Sequence, residues 1–541
     1  MRQYIGARYT IKVYENSLDP SSAEWESGRN WEALVLVTWQ NSSYLSKKEV
    51  PQSVGNPADN PEYWVCTGYF NGQISVLQGE IGDLADLETF IKSSLVEAIN
   101  EVNGKIATPE MFGAAGDGVT DDTAAIQAAI DTGLPVLLRK TYKVVSGDNI
   151  GISLSLKNNT KIFGKGTLIL EANNLNTYAI IHGYDVENIV IEDITIIGDL
   201  DSHTGVAGEY GMGIAIDGCR NVLVKGVSVS KCWGDGIYIG HITTVSPQAE
   251  KITIDSCHVF ANRRNNISIT IGEDVIVNNC VVELAAGTAP QGGIDVEPNA
   301  GETVENCVIS NNIIRDNTNY GIGINHRSST DVKNLLIIGN DIIDNPIGIS
   351  GWKNGGYAPS DTITGNHIIA SVRAIGGAAY SAVISDNTFE ITSSSSDTPF
   401  YLPGYRTIFT RNTVQANCAN VSTALIELDD IGAVITDNVF LSAYAGSKFL
   451  LDAKKDFIFS NNKVIAKSGL TGIINVADGE DVIVTKNEVT DHGNVTYRFI
   501  IGKTGFVSSN ERVAFNVAEV SNQFNTPSMN VYSNVVNGTL S

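Results

Sequence analysis

The sequence has no long hydrophobic run and comparatively few basic residues. No stretch of about 18 apolar residues occurs in the 541-residue chain, so no segment is long enough to cross a membrane as a helix. Its 36 Lys and Arg residues are outnumbered by 60 Asp and Glu residues, which gives a formal net charge of −24. Such a charge repels nucleic acids, and we therefore expect neither a nucleic-acid partner nor membrane insertion.

Paired cysteines and clustered histidines are lacking as well. The seven cysteines include no Cys-x-x-Cys pair, and the seven histidines show no zinc-binding spacing. We therefore expect free thiols, no bound metal and no cofactor. Residues 1–8 do not have the pattern of a secretory signal, so export by that route is not expected.

What the sequence does contain is a repeat of about 25 residues. An Asn between two short apolar runs recurs from residue 279 to residue 510, at intervals of 21 to 34 residues. A repeat of this length is too short to bury its own apolar side chains, so consecutive repeats must stack. The apolar runs have the length of strands, and the sequence therefore predicts a parallel β-helix. The repeated positions are Asn279, Asn306, Asn340, Asn366, Asn387, Asn412, Asn438, Asn462, Asn487 and Asn510.

These Asn residues are expected to form the turns between strands. Asn tolerates a left-handed backbone, and stacked Asn side chains can hydrogen-bond along the axis of the solenoid. The register places Cys280 and Cys307 at the same point of adjacent coils. It also extends backwards, to turn positions at Gly164, Asp193, Gly226 and Ser256.

Two regions of different character precede the repeats. Residues 1–73 are rich in aromatic side chains, and residues 31–47 predict a hairpin that turns at residues 40–42. These aromatic side chains either stack on sugars or a partner, or fill the core of a small β module. Residues 74–105 have apolar side chains at helical spacing, which predicts a short coiled-coil neck that needs self-association to bury them.

Residues 112–130 are the most distinctive segment of the chain. Residues 116–118 are expected to form a turn, Thr120 is the expected N-cap of a helix, and residues 124–130 are the expected helix. A phosphate-binding loop is not expected here, because the Lys-Ser/Thr pair that such a loop requires is missing.

This segment closely resembles the entry motif of the pectate-lyase superfamily of right-handed parallel β-helices, as found in bacteriophage tailspikes and polysaccharide depolymerases. The resemblance implies an all-β fold with a right-handed parallel β-helix at residues 106–520, closed at its N-terminal end by the helix. Residues 1–73 resemble small modules of phage tail proteins, and residues 521–541 are expected to be a cap or tail. Spikes with such a neck imply a homotrimer that attaches to a phage tail or baseplate and acts at the bacterial cell surface.

A second alignment predicts which side chains point away from the core. Similar strands begin at residues 213, 236, 266, 293 and 321, and each alternates inward apolar with outward positions. Polar groups concentrate on this outward face, which is therefore the predicted site. The first outward column holds Ala215, Tyr238, Ser268, Asp295 and Gly323, and the second holds Asp217, Gly240, Thr270, Glu297 and Asn325.

Asp295 and Glu297 are the predicted catalytic pair. They are two residues apart on one strand, which places their Cα atoms roughly 6.5–7 Å apart with both side chains on one face. Two desolvated carboxyl groups do not both ionise easily, so one can act as general acid and the other as base or nucleophile. Asp235, two coils away, is the third predicted catalytic carboxylate. The alternative is that these acids form an ordinary solvated face.

The predicted substrate-binding residues are Asp217, Trp233, Tyr238, His241, Arg264, Asn266, Asn325, His326 and Arg327. The leading prediction is a spike that binds and hydrolyses a bacterial surface polysaccharide, with aromatic faces and polar donors holding the sugar. A lyase acting on a uronic-acid glycan is the second candidate, and a spike that binds without cleaving is the third. Residues 234–237, Gly-Asp-Gly-Ile, resemble one element of the β-helical polygalacturonases, whose other motifs are missing here.

Overall fold

The computed structural model divides the chain into two units, with the boundary between residues 104 and 105 of the sequence. The first unit contains a small antiparallel sheet, and the second is a long solenoid. The structure describes residues 30, 32–33, 35–39, 42–69, 105–147, 150–241, 247–326, 331–353, 361–377, 382–392, 397–402, 406–417, 424–428, 432–442, 449–453, 456–466, 472–476, 482–491, 498–502, 512–514, 517–519, 524–525, 530–532, 535–536 and 539–540.

The first unit contains three antiparallel strands. Trp39 pairs with Ser42 across the first hairpin, which confirms the predicted hairpin. Trp64 is buried, so this aromatic side chain fills the core of the sheet. The predicted neck at residues 74–105 lies almost entirely outside the described residues. The strands are Leu36–Trp39, Ser42–Ser46 and Trp64–Tyr69.

The second unit is a parallel β-helix, as predicted. Successive coils contribute strands to three sheets, which we name A, B and C, and within each sheet the strands of neighbouring coils pair in parallel. The strands of sheet A are Val136–Leu138, Lys161–Gly164, Glu187–Glu192, Arg220–Lys225, Glu250–Asp255, Gly272–Asn278, Val304–Glu305, Val308–Ser310, Val332–Lys333, Leu336–Ile338, Thr362–Thr364, Val383–Ser385, Ile408–Thr410, Ala433–Thr436, Phe457–Ser460, Ile483–Thr485, Arg512–Ala514 and Asn530–Tyr532.

Sheets B and C follow sheet A in each coil and share two long strands, Asp341–Lys353 and His367–Gly376. The other strands of sheet B are Asp117–Asp121, Thr141–Val144, Thr167–Leu170, Thr195–Ile197, Ser228–Ser230, His258–Phe260, Val281–Glu283, Ile313–Arg315, Thr388–Ile391, Thr413–Ala416, Val439–Ser442, Lys463–Ala466, Glu488–Asp491, Val517–Glu519, Val535–Val536 and Thr539–Leu540. Those of sheet C are Ile152–Ser155, Thr177–Tyr184, Tyr210–Asp217, Ile237–Ile239, Ile267–Ile269, Gly292–Val296, Tyr320–His326, Phe400–Leu402, Ala424–Leu428, Phe449–Ala453, Gly472–Val476, Arg498–Gly502 and Phe524–Asn525.

The core consists of the inward side chains of all three sheets. On one strand of sheet A, Ile189 and Ile191 are buried while Val190 between them is partly exposed, as the period of two requires. Later coils stack aromatic rings, with ring centroids 6.4 Å apart between Phe409 and Phe440 and 6.4 Å between Phe440 and Phe459. Stacking of like side chains removes apolar surface from water in every coil, and this burial is the main stabilising term of the solenoid.

A ladder of buried Asn side chains runs along the corner that precedes sheet B. Its rungs are alike: Asn387 donates both its backbone N–H and its side-chain amide to the Oδ1 atom of Asn412, each at 3.0 Å. The predicted repeat is therefore confirmed from Asn340 to Asn487, and Asn510 lies outside the described residues. The members of the ladder are Asn312, Asn340, Asn366, Asn387, Asn412, Asn438, Asn462 and Asn487.

The left-handed turn lies one residue before each ladder Asn. The prediction that the repeated Asn residues themselves adopt this backbone is wrong over most of the repeat, because they turn inward to bond along the axis. Asn279 and Asn306 do adopt the left-handed backbone, each with φ of 55°, but only Asn279 belongs to this row. Asn306 lies at another corner, before the sheet A strand that starts at Val308. From coil to coil the row is Asp193, Gly226, Ser256, Asn279, Asn311, Gly339, Gly365, Asp386, Arg411, Asp437, Asn461 and Lys486, with φ between 54° and 66°.

The observed register also gives the cysteines different neighbours from those predicted. Val281 pairs with His258, so Cys280 stacks on Cys257, and the prediction that it stacks on Cys307 is wrong. All three thiols are free and buried, as expected for small core-filling side chains.

The predicted helix after the entry motif is present as α1, Thr123–Asp131. The predicted N-cap is wrong, because Thr120 lies in the strand Asp117–Asp121 and Asp122 precedes the helix instead. The buried carboxylate of Asp122 accepts hydrogen bonds from the backbone N–H groups of residues 115 and 116, at 2.7 and 3.0 Å. Asp122 therefore holds the glycine-containing turn against the start of the helix.

Helix α1 belongs to the core at the N-terminal end of the solenoid. Ile126 and Ile130 are buried in the same apolar cluster as Val136 of the first sheet A strand, and a short 3-10 helix, Pro109–Phe112, precedes α1. At the other end, strand pairing continues into the segment 521–541, up to the antiparallel pair formed by its last two strands. Within the part of the chain that the structure describes, no helix is long and apolar enough to span a membrane.

We expect Asn412→Ala to destabilise the protein. The substitution leaves both donors of Asn387 without their acceptor and the carbonyl of Ile384 without its donor. Each of these three buried polar groups costs about 1–3 kcal/mol when it loses its partner, so the free energy of unfolding should fall by at least about 3 kcal/mol. Thermal unfolding followed by circular dichroism measures this. The matched control, Asn417→Ala at an exposed position of the same coil, should change little, and equal midpoints for the two variants would contradict the prediction.

Candidate active site

Sheet C brings the first predicted outward column into register. Ala215 pairs with Tyr238, Tyr238 with Ser268, Ser268 with Asp295, and Asp295 with Gly323. The predicted alignment of these strands is therefore confirmed. Although the column points away from the apolar core, Asp295 has an exposed fraction of 0 %, so neighbouring side chains cover it completely.

Arg264 connects several acids at this site. Its Nη1 atom donates to Oδ2 of Asp235 at 2.9 Å, its Nη2 atom lies 3.5 Å from Oε2 of Glu297, and its Nε atom lies 3.6 Å from Oε2 of Glu209. Burial disfavours the charged guanidinium, but Asp235, Asp295 and Glu297 together raise the pKa of Arg264 above its usual value. The positive charge of Arg264 is thus shared among several carboxyl groups.

Asp295 is the carboxyl group with the most unusual environment. Its Oδ2 atom accepts a hydrogen bond from Nδ2 of Asn265 at 3.0 Å, and its Oδ1 atom has no partner in good geometry among the described residues. Burial, and after it the negative charge of Glu297, raises the pKa of Asp295 to about 7, against the opposing effect of Arg264. Near neutral pH this carboxyl group therefore retains a proton for a large fraction of the time.

Asp235 is fully buried two coils before Asp295. Burial raises its pKa, while Arg264 and the backbone N–H of Asn265, which donates at 2.9 Å, favour the charged form. Asn265 therefore contacts both predicted catalytic aspartates, one through its backbone and the other through its side chain. Its Oδ1 atom accepts a hydrogen bond from the N–H of Gly292 at 2.9 Å, which fixes the orientation of the amide.

The predicted site residues do not include Asn265, Tyr320 and Glu209. Asn265 and Ser268 are three residues apart, which places two side chains on opposite faces of a regular strand. Here the strand bends between them, and Nδ2 of Asn265 donates to Oγ of Ser268 at 3.1 Å. Tyr320 occupies the same outward row as Asn265 and interacts with Asp295, and burial followed by that acid raises the pKa of its hydroxyl. Extending the strand alignment three residues upstream would have revealed this row.

Two predicted sugar-stacking residues are placed differently from the prediction. Tyr238 has an exposed fraction of 4 % and packs in an apolar cluster with Met212, so its ring presents no open face. The ring of Trp233 stacks on His203, with centroids 3.9 Å apart, and the guanidinium of Arg263 lies 3.7 Å from the centroid. Two groups this close to one centroid must lie on opposite faces, so neither face of Trp233 can receive a sugar.

Asp217 and His241 belong to a second polar cluster on the same face. Oδ1 of the buried Asp217 lies 3.1 Å from Nδ1 of His241, and its Oδ2 lies 3.6 Å from Nε2 of His182. His241 also places its Nε2 atom 3.5 Å from Oε1 of Glu302. Among the described residues, no group of three or more His, Cys, Asp or Glu side chains is arranged to hold a metal ion.

The remaining predicted binding residues do not all reach this site. Asn266 is fully buried and donates from Nδ2 to Oδ1 of Asn317 at 3.0 Å, so it belongs to the interior and its predicted binding role is not supported. His326 is buried against Asp361, at 2.8 Å. Asn325 is partly exposed, and Arg327 lies outside the described residues.

Comparison with known proteins places part of the chain among β-helices. A family model described as a right-handed β-helix region matches residues 213–361, which include all three predicted catalytic carboxylates. The predicted right-handed parallel β-helix is therefore confirmed for the part of the chain that contains the site.

Relatives of the chain include a phage structural protein and a polysaccharide-modifying enzyme. The uncharacterized protein YclG of Bacillus subtilis (strain 168) is 32% identical over 285 residues, 47% of this chain and 47% of that protein. The pre-neck appendage protein of Bacillus phage phi29 is 25% identical over 321 residues, 54% of this chain and 35% of the appendage protein. Mannuronan C5-epimerase AlgE2 of Azotobacter vinelandii is 27% identical over 261 residues, 43% of this chain and 24% of the enzyme. The chain thus spans about half, or less, of the length of these relatives.

We expect Asp295→Asn to stabilise the protein increasingly as the pH rises. Because the pKa of Asp295 is raised from 3.8 to about 7, the folded protein keeps a proton that the unfolded chain releases. This contribution favours folding at low pH and is lost as the pH rises through about 7. The unfolding midpoint of the variant should therefore rise relative to that of the wild type between about pH 4 and pH 7, and the difference should level off above that range.

The matched control is Glu427→Gln, since Glu427 occupies the same outward column of sheet C several coils further along. Thermal unfolding of the three proteins over this pH range measures the effect. A constant difference between Asp295→Asn and wild type would mean that Asp295 is ionised in the folded protein throughout.

Proposed function

We propose that this protein is a virion-associated spike that hydrolyses a bacterial surface polysaccharide, with Asp295 and Glu297 as its catalytic pair and Asp235, the third predicted carboxylate, as a positioning residue. The relationship to a phage pre-neck appendage protein supports the association with a virion. The relationship to a polysaccharide-modifying enzyme supports a polysaccharide as the substrate. The observation that carries it is the fully buried Asp295 beside Glu297, which keeps an exposed side-chain fraction of 22 %, and this burial raises the pKa of Asp295 to about 7.

The two carboxyl groups have the properties that glycoside hydrolysis requires. Asp295 donates its proton to the glycosidic oxygen while the bond from C1 to that oxygen breaks. Glu297 accepts a proton from the water molecule whose oxygen forms the new bond to C1. One water is consumed, and the products are one new reducing end and one new hydroxyl group.

Asp235, Arg264 and Asn265 position this pair. Asp235 neutralises part of the charge of Arg264 through the 2.9 Å hydrogen bond, and Arg264 reaches from there to Glu297. Asn265 orients the carboxyl group of Asp295. Because Asp295 has no exposed surface in this structure, a substrate reaches its proton only when a neighbouring side chain shifts on binding.

The charge of the site favours a glycan without carboxylates next to the cleaved bond. A lyase, or a C5-epimerase such as the relative that acts on mannuronan, removes a proton beside a sugar carboxylate, and cationic groups assist by neutralising that carboxylate. Here Arg264 already faces Glu209, Asp235 and Glu297. The local excess of negative charge repels an anionic sugar, so we propose hydrolysis of neutral or amine-bearing units.

Attachment and assembly complete the proposal. Residues 1–73 attach the spike to the phage tail or baseplate, and the predicted neck at residues 74–105 supports a homotrimer. A spike that holds the same glycan without cleaving it is the alternative to an enzyme. The fully buried Asp295 supports the enzyme, since a surface that only binds has no need of a carboxyl group shielded from water.

We expect the wild-type protein to release reducing ends from at least one neutral or amino-sugar capsule or O-antigen polysaccharide in a panel that also contains polyuronates. Asp295→Asn and Glu297→Gln should each reduce the rate by about 10²–10⁴-fold, since each removes a proton-transfer group. The control Glu427→Gln should retain the wild-type rate.

The products distinguish the candidate functions. New reducing ends without ultraviolet absorbance indicate hydrolysis, whereas the absorbance of an unsaturated sugar indicates a lyase. Binding of a polysaccharide without any product, by all four proteins, would leave the protein as a receptor-binding spike and contradict the proposed catalysis.

A further inference from the structure

Sheet A has an outward row of side chains that is apolar over most of the solenoid. Its members lie in direct register on successive strands, and Ile276 and Ile408 have exposed fractions of 38 % and 37 %. Thr362 is the only hydroxyl-bearing member of the row. In chain order the row is Ile276, Val308, Leu336, Thr362, Val383, Ile408, Val434, Ile458 and Ile483.

The neighbouring outward row of the same strands is also uncharged. Several of its polar groups hydrogen-bond to one another along the axis: Ser310 donates to Asn278 at 2.9 Å, and Thr364 and Ser385 lie 3.0 Å apart. Because these groups find partners within the row, covering them costs little hydration. The row is Asn278, Ser310, Ile338, Thr364, Ser385, Thr410, Thr436, Ser460 and Thr485. We name the two rows together the sheet A stripe.

The charged side chains of the same coils lie outside the stripe, along its edges and on the other two sheets. Arg411 pairs with Asp386 at the corner that follows the stripe, and Lys333 pairs with Glu305 on sheet A before it. Outward positions of sheet B include Glu390 and Lys463, and those of sheet C include Glu427. The stripe also has a defined beginning, since the preceding coil places Asp255 in register with Asn278. In a chain with a net charge of −24, an uncharged face of this length is a specific feature rather than an average property of the surface.

We propose that the sheet A stripe is the surface through which copies of this chain pack against each other. At about 4.8 Å per coil the stripe is on the order of 40 Å long, and it offers on the order of 500 Å² per copy. Two such faces bury about 1,000 Å² in total, which reaches the lower limit of specific interfaces. The inference rests on the self-association in the proposed function and adds the surface that mediates it, so stripe variants that still assemble would contradict the stripe alone.

Charge and shape favour a second copy as the occupant. Two molecules that each have a net charge of −24 repel one another, and they can meet with least cost where neither buries a charge. The stripe is a straight, regular ridge of side chains, and a second solenoid has the same spacing between its coils, so the two can remain in contact along the whole length. A partner without this repeat would cover only part of the stripe.

The test compares the oligomeric state of the full chain and its variants by light scattering and sedimentation over a range of concentrations. The triple variant Val383→Thr, Ile408→Thr, Val434→Thr keeps β-branched side chains, and Thr362 shows that the row accepts threonine. It should fold normally and dissociate at least tenfold more readily than the wild type. Ile408→Glu, which brings like charges together in the contact, should have a larger effect.

The matched control is Gln415→Glu, because Gln415 is an exposed outward position on sheet B of the same coil as Ile408. It adds the same charge outside the stripe and should leave the assembly unchanged. Circular dichroism verifies that each variant is folded. A monomeric wild type at all concentrations, or folded stripe variants that assemble as well as wild type and the control, would overturn the proposal.

Discussion

The parallel hydrogen bonds between consecutive coils determine every other feature of the solenoid. They fix which residue of one coil lies beside which residue of the next, and a register that is wrong by one residue would exchange inward and outward side chains. The buried Asn ladder reinforces this register, because a side chain such as Asn412 both accepts from the coil before it and donates to the coil after it. The stacked core, the acid pair and the uncharged stripe are all consequences of the same alignment.

Each face of the solenoid uses this alignment differently. Sheet C concentrates carboxyl groups around Arg264, and burial together with the charge of Glu297 raises the pKa of Asp295 to about 7. Sheet A excludes charge from two adjacent rows over many coils, whereas sheet B presents acids and bases in pairs such as Glu283 with Arg315. A repeat fold allows this separation because the outward positions of each sheet vary independently of the core.

The fold was largely predictable because each repeat encodes its strands and turns locally. The errors concern positions within the turn: Asn306 lies at a different corner, and Asp122 rather than Thr120 precedes helix α1. In both cases the residue type is compatible with the predicted position as well as with the observed one. Hydrogen bonds to neighbouring coils or to a distant turn, which the local sequence does not reveal, make the choice.

The sequence by itself determined the parallel β-helix, the strand alignment of sheet C and the pairing of Asp295 with Glu297, because these follow from short-range periodicity. Only the tertiary structure decided that Arg264 joins three acids, that both faces of Trp233 are covered and that Asn265 reaches Asp295. These contacts join residues about 30 to 60 positions apart, and the pairing of successive coils sets which side chains meet. Burial and mutual charge, which set the protonation of the site, exist only once the coils are stacked.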